Sequence, residues 1–349
     1  MSDNKPLTYQ QAGVDPDKAG RILSNFADFL KTRPRDPALL SGIGPFASCY
    51  RLKDLVGDLD DPLLVTCCDG VGTKAKLALE WGKLDGLGQD LVAMNVNDLL
   101  CTGAKPILFL DYYACGKLDD SQLTQILKSI QGACEESLCS LAGGETAEMP
   151  GVYAGEDFDL AGFAVGIVDR GNLLEPARVK AGDRLLAIES SGLHSNGFSL
   201  VRKLLERERI SPDAESPVAG KSWKELLLTP THLYVRPLLE VLEHVHAAAH
   251  ITGGGLFENL PRVLPRGHRA VVHSDRWPIP EPFAWIQKKA GISTQDLLST
   301  LNCGVGMILV VSPSSVTQAL ERLAKHRLRA WDIGELEANG SDSASVEWR

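Results

Sequence analysis

Three features of the sequence predict a two-domain protein of mixed α and β structure. The chain has 349 residues, and typical domains of about 100–200 residues favour two domains over one. Short apolar runs typical of strands alternate with stretches of helical spacing. A polar segment with proline and glycine, RGNLLEPARVKAGD at 170–183, separates two such sets. We therefore predict an N-terminal arm with a glycine-rich loop at 1–50, a first domain at 51–172 and a second at 173–349.

The elements of the first domain follow one another in a clear order. Residues 62–68, PLLVTCC, predict a strand, and 89–103 predict a helix that ends at Gly103. A strand over 106–114, a helix over 119–137 and a strand over 158–169 come next. The remaining residues predict a second set of strands and helices.

Composition excludes several classes of function. The formal net charge is −9, which argues against a nucleic-acid partner because such proteins need a basic face. The eight cysteines include no C-x-x-C pair, and MSDNKPLTYQ does not resemble a secretory signal, so a reducing cytoplasm is expected. The longest apolar runs, such as GMILVVS, fall short of the roughly 20 residues that cross a bilayer.

The motif DGVGTK at 69–74 follows the first predicted strand. One interpretation is an ordinary strand-turn-helix corner in which Thr73 caps the helix. The other is a phosphate cradle, because glycines and a helix N-terminus present backbone N–H groups to an anion. The spacing differs from that of a P-loop. Since Asp69 would repel phosphate unless a cation lay between them, Asp69 and Lys74 together suggest Mg²⁺ with a nucleotide.

The helix predicted over 89–103 carries polar residues on an otherwise apolar surface. Asp90 and Asn97 are seven residues apart and share one face, with Asp98 beside them. Asp90 could simply interact with the helix dipole, with the other two solvated. Alternatively, Asp98 is a second oxygen ligand for the cation at Asp69, since two carboxylates plus substrate phosphates are a common Mg²⁺ arrangement.

Three further glycine-rich segments raise the same choice. AGGETAEMPG at 142–151 is either a tight turn with an acidic rim or a ligand site. LHSNGFSLVR at 193–202 precedes a helix that Ser195 or Asn196 could cap. HITGGGLFENLPR at 250–262 places three glycines before another predicted helix. The last two are candidate anion sites.

Two other features are interpreted as structural. His246 and His250 have the spacing of a zinc pair but lack the accompanying glutamate and an evident third ligand, so we expect a helix that ends in a hydrogen-bonded histidine. Cys303 lies beside an apolar strand with no nearby base, which favours a buried thiol over a nucleophile.

Taken together, DGVGTK, LVAMNVNDLL, FLDYYA, AGGETAEMPG, LHSNGFSLVR, HITGGGLFENLPRVLP and NCGVGM closely resemble the aminoimidazole ribonucleotide synthetase (phosphoribosylformylglycinamidine cyclo-ligase) family over nearly the whole chain. The resemblance implies an α+β fold of two mixed-sheet, PurM-like domains. It also implies a homodimer whose N-terminal domains form a barrel together. The expected reaction converts ATP and formylglycinamidine ribonucleotide into aminoimidazole ribonucleotide, ADP and phosphate, with Mg²⁺.

The same resemblance assigns roles to residues by matching position. Asp69 and Asp98 would bind Mg²⁺, and Lys74, His194 and Asn196 would be catalytic. Two groups would bind the co-substrates. The nucleotide and phosphate group comprises Gly70, Gly72, Thr73, Lys74, Gly143, Gly144, Glu145, Thr146 and Glu148; the substrate group comprises His194, Ser195, Asn196, Thr252, Gly253, Gly254 and Asn259.

Two departures from the family pattern affect the arm. Gln10 stands where the family usually has lysine, and Pro45 and Ala47 replace flexible positions of a glycine-rich loop. Two alternative functions remain open. One is another small-molecule kinase or a selenophosphate-type enzyme of the wider superfamily, and the other is a catalytically silent nucleotide-binding scaffold.

Overall fold

A computed structural model describes residues 13, 15–42 and 45–349. The departure at Gln10 lies outside the described residues. Pro45 and Ala47 lie in an exposed bend, and their effect on the loop stays a prediction. Within the described part of the chain, no helix is both long and apolar enough to span a bilayer.

The first half is built on a four-stranded sheet with the order β1-β4-β2-β3. Strands β2 and β3 are parallel, whereas β4 is antiparallel to both of its neighbours. The elements in chain order are α1 (Pro16–Leu30), α2 (Lys53–Val56), β1 (Pro62–Gly70), α3 (Lys74–Glu80), α4 (Leu87–Leu100), β2 (Lys105–Cys115), α5 (Asp120–Glu136), β3 (Ser140–Glu148) and β4 (Phe158–Asp169).

The second half is built on a six-stranded mixed sheet with the order β10-β7-β9-β5-β8-β6. Strand β8 lies between β5 and β6 and all of its side chains are buried. The elements are β5 (Arg184–Glu189), α6 (Phe198–Glu208), α7 (Trp223–Leu227), α8 (Val235–Leu239), β6 (Val245–His250), α9 (Gly255–Asn259), β7 (His268–Val272), α10 (Glu281–Ala290), α11 (Thr294–Thr300), β8 (Val305–Val311), α12 (Val316–Lys325), β9 (Ala330–Ala338) and β10 (Ser345–Trp348).

The two faces of the first sheet differ in what covers them. Helix α4 packs on one face with nearly all of its residues buried. Alternate residues of β1 face the other way and are exposed, including Leu64 at 65%. Phe163 on β4 is 43% exposed and pairs directly with the exposed Cys68. Among the described residues, this apolar sheet face therefore has no covering element.

Several local predictions are wrong. Residues 140–148 form the edge strand β3, so AGGETAE is not a tight turn. His246 and His250 lie on strand β6 and not at a helix end. Thr73 makes no capping hydrogen bond to α3, and the N-cap of α6 is Gly197 rather than Ser195 or Asn196.

Candidate active site

The candidate site lies where the second half of the chain packs against α4. Asn97 on α4 donates to the carbonyl of His232 at 2.9 Å and accepts from the backbone N–H of Tyr234 at 3.1 Å. Asp98, the next residue, lies 2.8 Å from Nδ1 of His250 through Oδ1. The hydrogen-bond partners of Asn97 and Asp98 explain why α4 has a polar face. An amide or carboxylate at a buried surface needs such a partner.

Asp69 is the second-to-last residue of β1 and lies beside the middle of α4. The side chain of Asn95 fixes its backbone in both directions, accepting from the Asp69 N–H at 2.9 Å and donating to the Asp69 carbonyl at 3.2 Å. Burial raises the pKa of Asp69, and the negative charge of Asp98 raises it further, whereas the Gly70 N–H opposes the shift. The structure therefore brings the two predicted metal ligands close enough to repel each other.

Asp98 and His250 line a cavity of about 290 Å³ between the two halves, together with Asn259 and Arg262. The Asp98 side chain is 43% exposed, but that of His250 is only 2% exposed. If Nδ1 of His250 donates to Asp98, Nε2 is an unprotonated acceptor. Nε2 has no hydrogen-bond partner among the described residues, so it can accept a hydrogen bond from a ligand.

The acid pair suits a hard divalent cation. Carboxylate oxygens are the ligands that Mg²⁺ takes in proteins, usually one or two of them with substrate phosphates and water. Within the described residues, no group of three or more His, Cys, Asp or Glu side chains could enclose a metal. Asp69 and Asp98 together would supply the one or two carboxylates that Mg²⁺ usually takes from a protein.

Lys74 does not fit its predicted phosphate role. Its side chain is 1% exposed, and its ammonium lies 2.8 Å from both carboxylate oxygens of Asp90. It also donates to the carbonyls of His194 at 2.9 Å and Thr229 at 2.8 Å. An ammonium has three N–H donors, so none is left for a phosphate. The corner still has Gly72 at φ +62°, a conformation that favours glycine.

His194 is held inside the protein rather than presented to a ligand. It is 1% exposed, and its Nε2 accepts from the Ser191 N–H at 3.1 Å. Burial, followed by the nearby His250, His232 and Lys74, lowers the pKa of His194 well below its ordinary value of 6.5. A lowered pKa together with burial disfavours the catalytic, substrate-contacting role predicted for His194. Its Nδ1 has no partner among the described residues.

The other predicted substrate residues divide into buried supports and accessible positions. Ser195 is buried, with its hydroxyl 3.2 Å from that of Thr231. Asn259 is also buried and donates to the carbonyls of Gly253 at 3.0 Å and Gly255 at 2.8 Å, so its amide nitrogen holds the glycine loop. Asn196, Thr252, Gly253 and Gly254 are at least partly exposed, and their substrate contacts stay predictions.

The predicted nucleotide residues are not brought together within one chain. Gly70 ends one edge strand, whereas Gly143, Gly144, Glu145 and Thr146 lie on the other edge strand. Three strand spacings separate those edges, which amounts to roughly 14 Å. Close packing also explains why residue 144 on β3 is glycine. A Cβ on Gly144 would lie 2.3 Å from Oδ1 of Asp111.

Glu148 has a structural role that its predicted nucleotide contact did not anticipate. Its two carboxylate oxygens accept the backbone N–H groups of Asp15 and Leu118, both at 2.8 Å. These bonds tie the start of α1 and the segment before α5 to the end of β3. Both oxygens already have donors, so a nucleotide contact would compete with the fold.

Sequence reasoning missed four residues that organise the site. Thr231 and Asn95 gave no sequence signal, because they are ordinary polar residues in a loop and a helix. His250 was noted as half of a zinc pair with His246 and for its position two residues before TGGG, but it was not assigned to the site. His246 instead pairs with Asp183 at 2.7 Å. Asp90 was noted, but its partner Lys74 was assigned to phosphate.

Comparison with known proteins agrees with this two-part organisation. Residues 48–168 match the family described as AIR synthase related protein, N-terminal domain, and residues 180–347 match AIR synthase related protein, C-terminal domain. The phosphoribosylformylglycinamidine cyclo-ligase of Nitrosospira multiformis is 44% identical over 339 residues, which cover 97% of this chain and 95% of that protein.

Solved structures share the fold at low sequence identity. Thiamine-monophosphate kinase from Stenotrophomonas maltophilia has a TM-score of 0.67 at 17% identity, covering 93% of this chain and 96% of that chain. E. coli HypE, a hydrogenase maturation protein, has a TM-score of 0.65 at 18% identity, covering 93% of each chain. A HypE structure in complex with ATP has a TM-score of 0.59 at 19% identity, covering 86% of this chain and 92% of that chain.

Proposed function

Because this chain belongs to the phosphoribosylformylglycinamidine cyclo-ligase family, we propose that it closes the imidazole ring of aminoimidazole ribonucleotide from formylglycinamidine ribonucleotide, using ATP and releasing ADP and phosphate. The observation that carries the proposal is the pair Asp69 and Asp98 beside His250, at the junction of the two halves. The family relationship at 44% identity over 97% of the chain selects this reaction among those the fold serves.

The reaction needs an activated oxygen. The formyl amide oxygen is a poor leaving group, so the oxygen first attacks the γ-phosphorus of ATP and ADP departs. The amidine nitrogen then attacks the formyl carbon, and the C–O bond breaks to release phosphate. Such transfer depends mainly on positioning and neutralising charge. Mg²⁺ would supply that neutralisation, and Asp69 and Asp98 are the residues that would hold it.

His250 and Asn196 are the side chains we assign to the substrate. The Asp98 carboxylate orients His250 through Nδ1 at 2.8 Å, which leaves Nε2 free to accept a proton from the attacking nitrogen. Asn196 is half-buried, and Gly253 of the glycine loop lies next to its amide oxygen, which a Cβ on that glycine would approach to 3.5 Å. Asn196 can therefore orient an amide substrate between the two halves.

We also propose that two copies pair through the uncovered face of the first sheet. Leu64 and Phe163 make that face apolar, and a second sheet packed on it would complete a barrel. Such pairing would also offer the β3 residues of one chain to the partner's DGVGTK corner. Replacing Leu64 with lysine should convert a dimer to a monomer in sedimentation. Leu52→Lys is the matched control, because Leu52 is 53% exposed but lies outside the sheet.

The activity is tested by incubating the purified protein with ATP, Mg²⁺ and formylglycinamidine ribonucleotide. We expect ADP and aminoimidazole ribonucleotide in equal amounts, resolved by chromatography. Thiamine monophosphate, the substrate named for a protein of the same fold, should give no ADP above the background rate. ADP release only with thiamine monophosphate would assign a kinase instead, and no release with either compound would support a silent scaffold.

A further inference from the structure

The last residue of the DGVGTK corner, Lys74, forms a buried ion pair that is hydrogen-bonded to the second half of the chain. Lys74 on α3 and Asp90 on α4 are each 1% exposed at the side chain, and they lie 2.8 Å apart. The Lys74 ammonium is also 5.6 Å from the centre of the Phe198 ring, at the start of α6. Both charges are therefore removed from water and surrounded by the second half.

Four hydrogen bonds cross between the halves at this pair. The ammonium of Lys74 donates to the carbonyls of His194 and Thr229 at 2.9 and 2.8 Å. The Asp90 Oδ1 accepts from the backbone N–H and the hydroxyl of Thr231 at 2.8 and 2.7 Å. The pair thus fixes two separate segments of the second half, the turn at 194–196 and the loop at 229–231.

The turn that the pair holds contains the accessible Asn196. His194 has φ +58°, an uncommon conformation for a residue other than glycine, and its carbonyl is aimed at Lys74. Ser195 follows with its hydroxyl 3.2 Å from that of Thr231, which is itself bound to Asp90. Asn196 is therefore the first partly exposed residue after a continuous set of buried polar contacts.

We propose that Lys74, Asp90 and Thr231 are positioning residues, which set the 194–196 turn against the metal-binding acids without contacting phosphate. A buried ion pair is weak evidence for a gain in stability, because removing two charges from water offsets much of their attraction. Its directional bonds instead define one arrangement of the two halves. The expected loss of turnover rests on the proposed function. The expected fixing of residues 194–196 and 229–231 does not.

The test compares three variants that remove different members of the set. Lys74→Met removes the ammonium, Asp90→Asn removes the negative charge, and Thr231→Val removes one hydroxyl. Lys76→Met is the matched control, since Lys76 lies on the same helix but is 39% exposed and pairs with Asp157. For each protein we would measure ATP binding by calorimetry, turnover per folded molecule, and amide hydrogen exchange.

We expect all three variants to share one phenotype. The kcat at saturating substrates should fall at least tenfold in Lys74→Met and Asp90→Asn and about threefold in Thr231→Val, with the dissociation constant of ATP within threefold of the parent. Lys74→Met combined with Thr231→Val should lose no more than the larger single loss, because the two residues act as a unit. Lys76→Met should match the parent.

Hydrogen exchange separates failure of this inference from failure of the proposed function, because it requires no activity. The amides of 194–196 and 229–231 should exchange at least tenfold faster in Lys74→Met and Thr231→Val than in Lys76→Met. Unchanged exchange would overturn the proposal even in an inactive protein. It would also be overturned if Lys74→Met weakened ATP binding more than tenfold while Asp90→Asn did not, the result expected of a phosphate ligand. Should Lys74→Met fail to fold, Thr231→Val and Asp90→Asn carry the same comparisons.

Discussion

Two aspartates on the same helix, eight residues apart, have opposite environments. Asp90 is 1% exposed, and Oδ1 alone accepts three hydrogen bonds, from Lys74 and from two groups of Thr231. The Asp98 side chain is 43% exposed, and its Oδ1 lies 2.8 Å from Nδ1 of His250. The Asp90 carboxylate is buried and paired within the fold, whereas the partly exposed Asp98 carboxylate can bind a ligand.

The comparison shows how a structural acid differs from a ligand-binding acid. Both residues lie on α4 and each pairs with a basic side chain, Asp90 with Lys74 and Asp98 with His250. A buried charge must be paired within the protein, so Asp90 is committed before any ligand arrives. Partial exposure leaves Asp98 free to exchange water for a cation. The following predictions test this division.

The largest effect is expected on stability at Asp90. Asp90→Ala leaves the Lys74 ammonium buried without its counterion, which typically costs about 3–5 kcal/mol. Urea denaturation followed by circular dichroism should show that decrease in the free energy of unfolding. Asp61→Ala, on the exposed turn before β1, is the control, and a loss at Asp90 no larger than the control's would remove the distinction.

The next effect is on turnover at Asp98. Asp98→Asn keeps an oxygen that can accept from His250 but removes the charge that holds the cation. Losing one preorganised electrostatic group costs roughly 2.7–4 kcal/mol of transition-state stabilisation, or about 10²–10³ in kcat. The free energy of unfolding should change by less than about 0.5 kcal/mol, as is usual for exposed positions. Normal turnover at parental Mg²⁺ dependence would show that Asp98 is not a ligand.

A third effect concerns pH and His194. Its pKa is lowered in the folded state, so below about pH 6.5 the unfolded chain binds a proton that the folded chain does not. Stability is therefore lost as pH falls, by up to about 1.4 kcal/mol per pH unit. His194→Gln should flatten the dependence of the free energy of unfolding on pH between 5 and 6.5. At pH 8 the histidine is neutral in both states, so the parent and the variant should show the same dependence of the free energy of unfolding on pH. Parallel curves for the two proteins between pH 5 and 6.5 would show that His194 is not the group responsible.

The smallest effect concerns Mg²⁺ binding at Asp69. Because its pKa is raised above the ordinary 3.8, protons compete with Mg²⁺ at higher pH than at a typical aspartate. The affinity for Mg²⁺, measured by titration in the presence of ATP, should fall as pH is lowered, by at most tenfold per pH unit for one proton. Asp69→Asn should bind Mg²⁺ more weakly and lose that component of the pH dependence. An identical pH dependence in the variant would place the competing proton elsewhere.

Sequence patterns predicted most elements of the first half, because apolar periodicity reflects which face is buried. The strand at 158–169 and the helix at 119–137 agree with β4 and α5 closely. The edge strand β3 was not predicted as a strand, because glycine and acidic residues usually mark turns, and the segment was interpreted as either a tight turn or a ligand site. There, glycine serves close packing against Asp111 on the neighbouring strand, a requirement that sequence alone does not display.

The site was predicted in part for the same physical reason. Asp69 and Asp98 could be singled out because each belongs to a local sequence pattern, the first on β1 and the second on α4. Lys74 was assigned wrongly because its acceptors are set by tertiary packing, and a lysine after a glycine turn has the same local pattern whether it binds phosphate or a carbonyl. The structural role of Asn259 was not predicted either, since the partners of its amide nitrogen are the backbone carbonyls of a loop whose conformation only the structure shows.

The contacts of Lys74 also determine when the site can form during synthesis. Its acceptors His194 and Thr229 lie 120 and 155 residues further along the chain. At a translation rate of about 5–20 residues per second, the ribosome takes roughly 8–31 s to add the last of them. Until then the emerging first half cannot bury this ammonium as the finished protein does. The junction consequently cannot form until residues 194 and 229 have both been made.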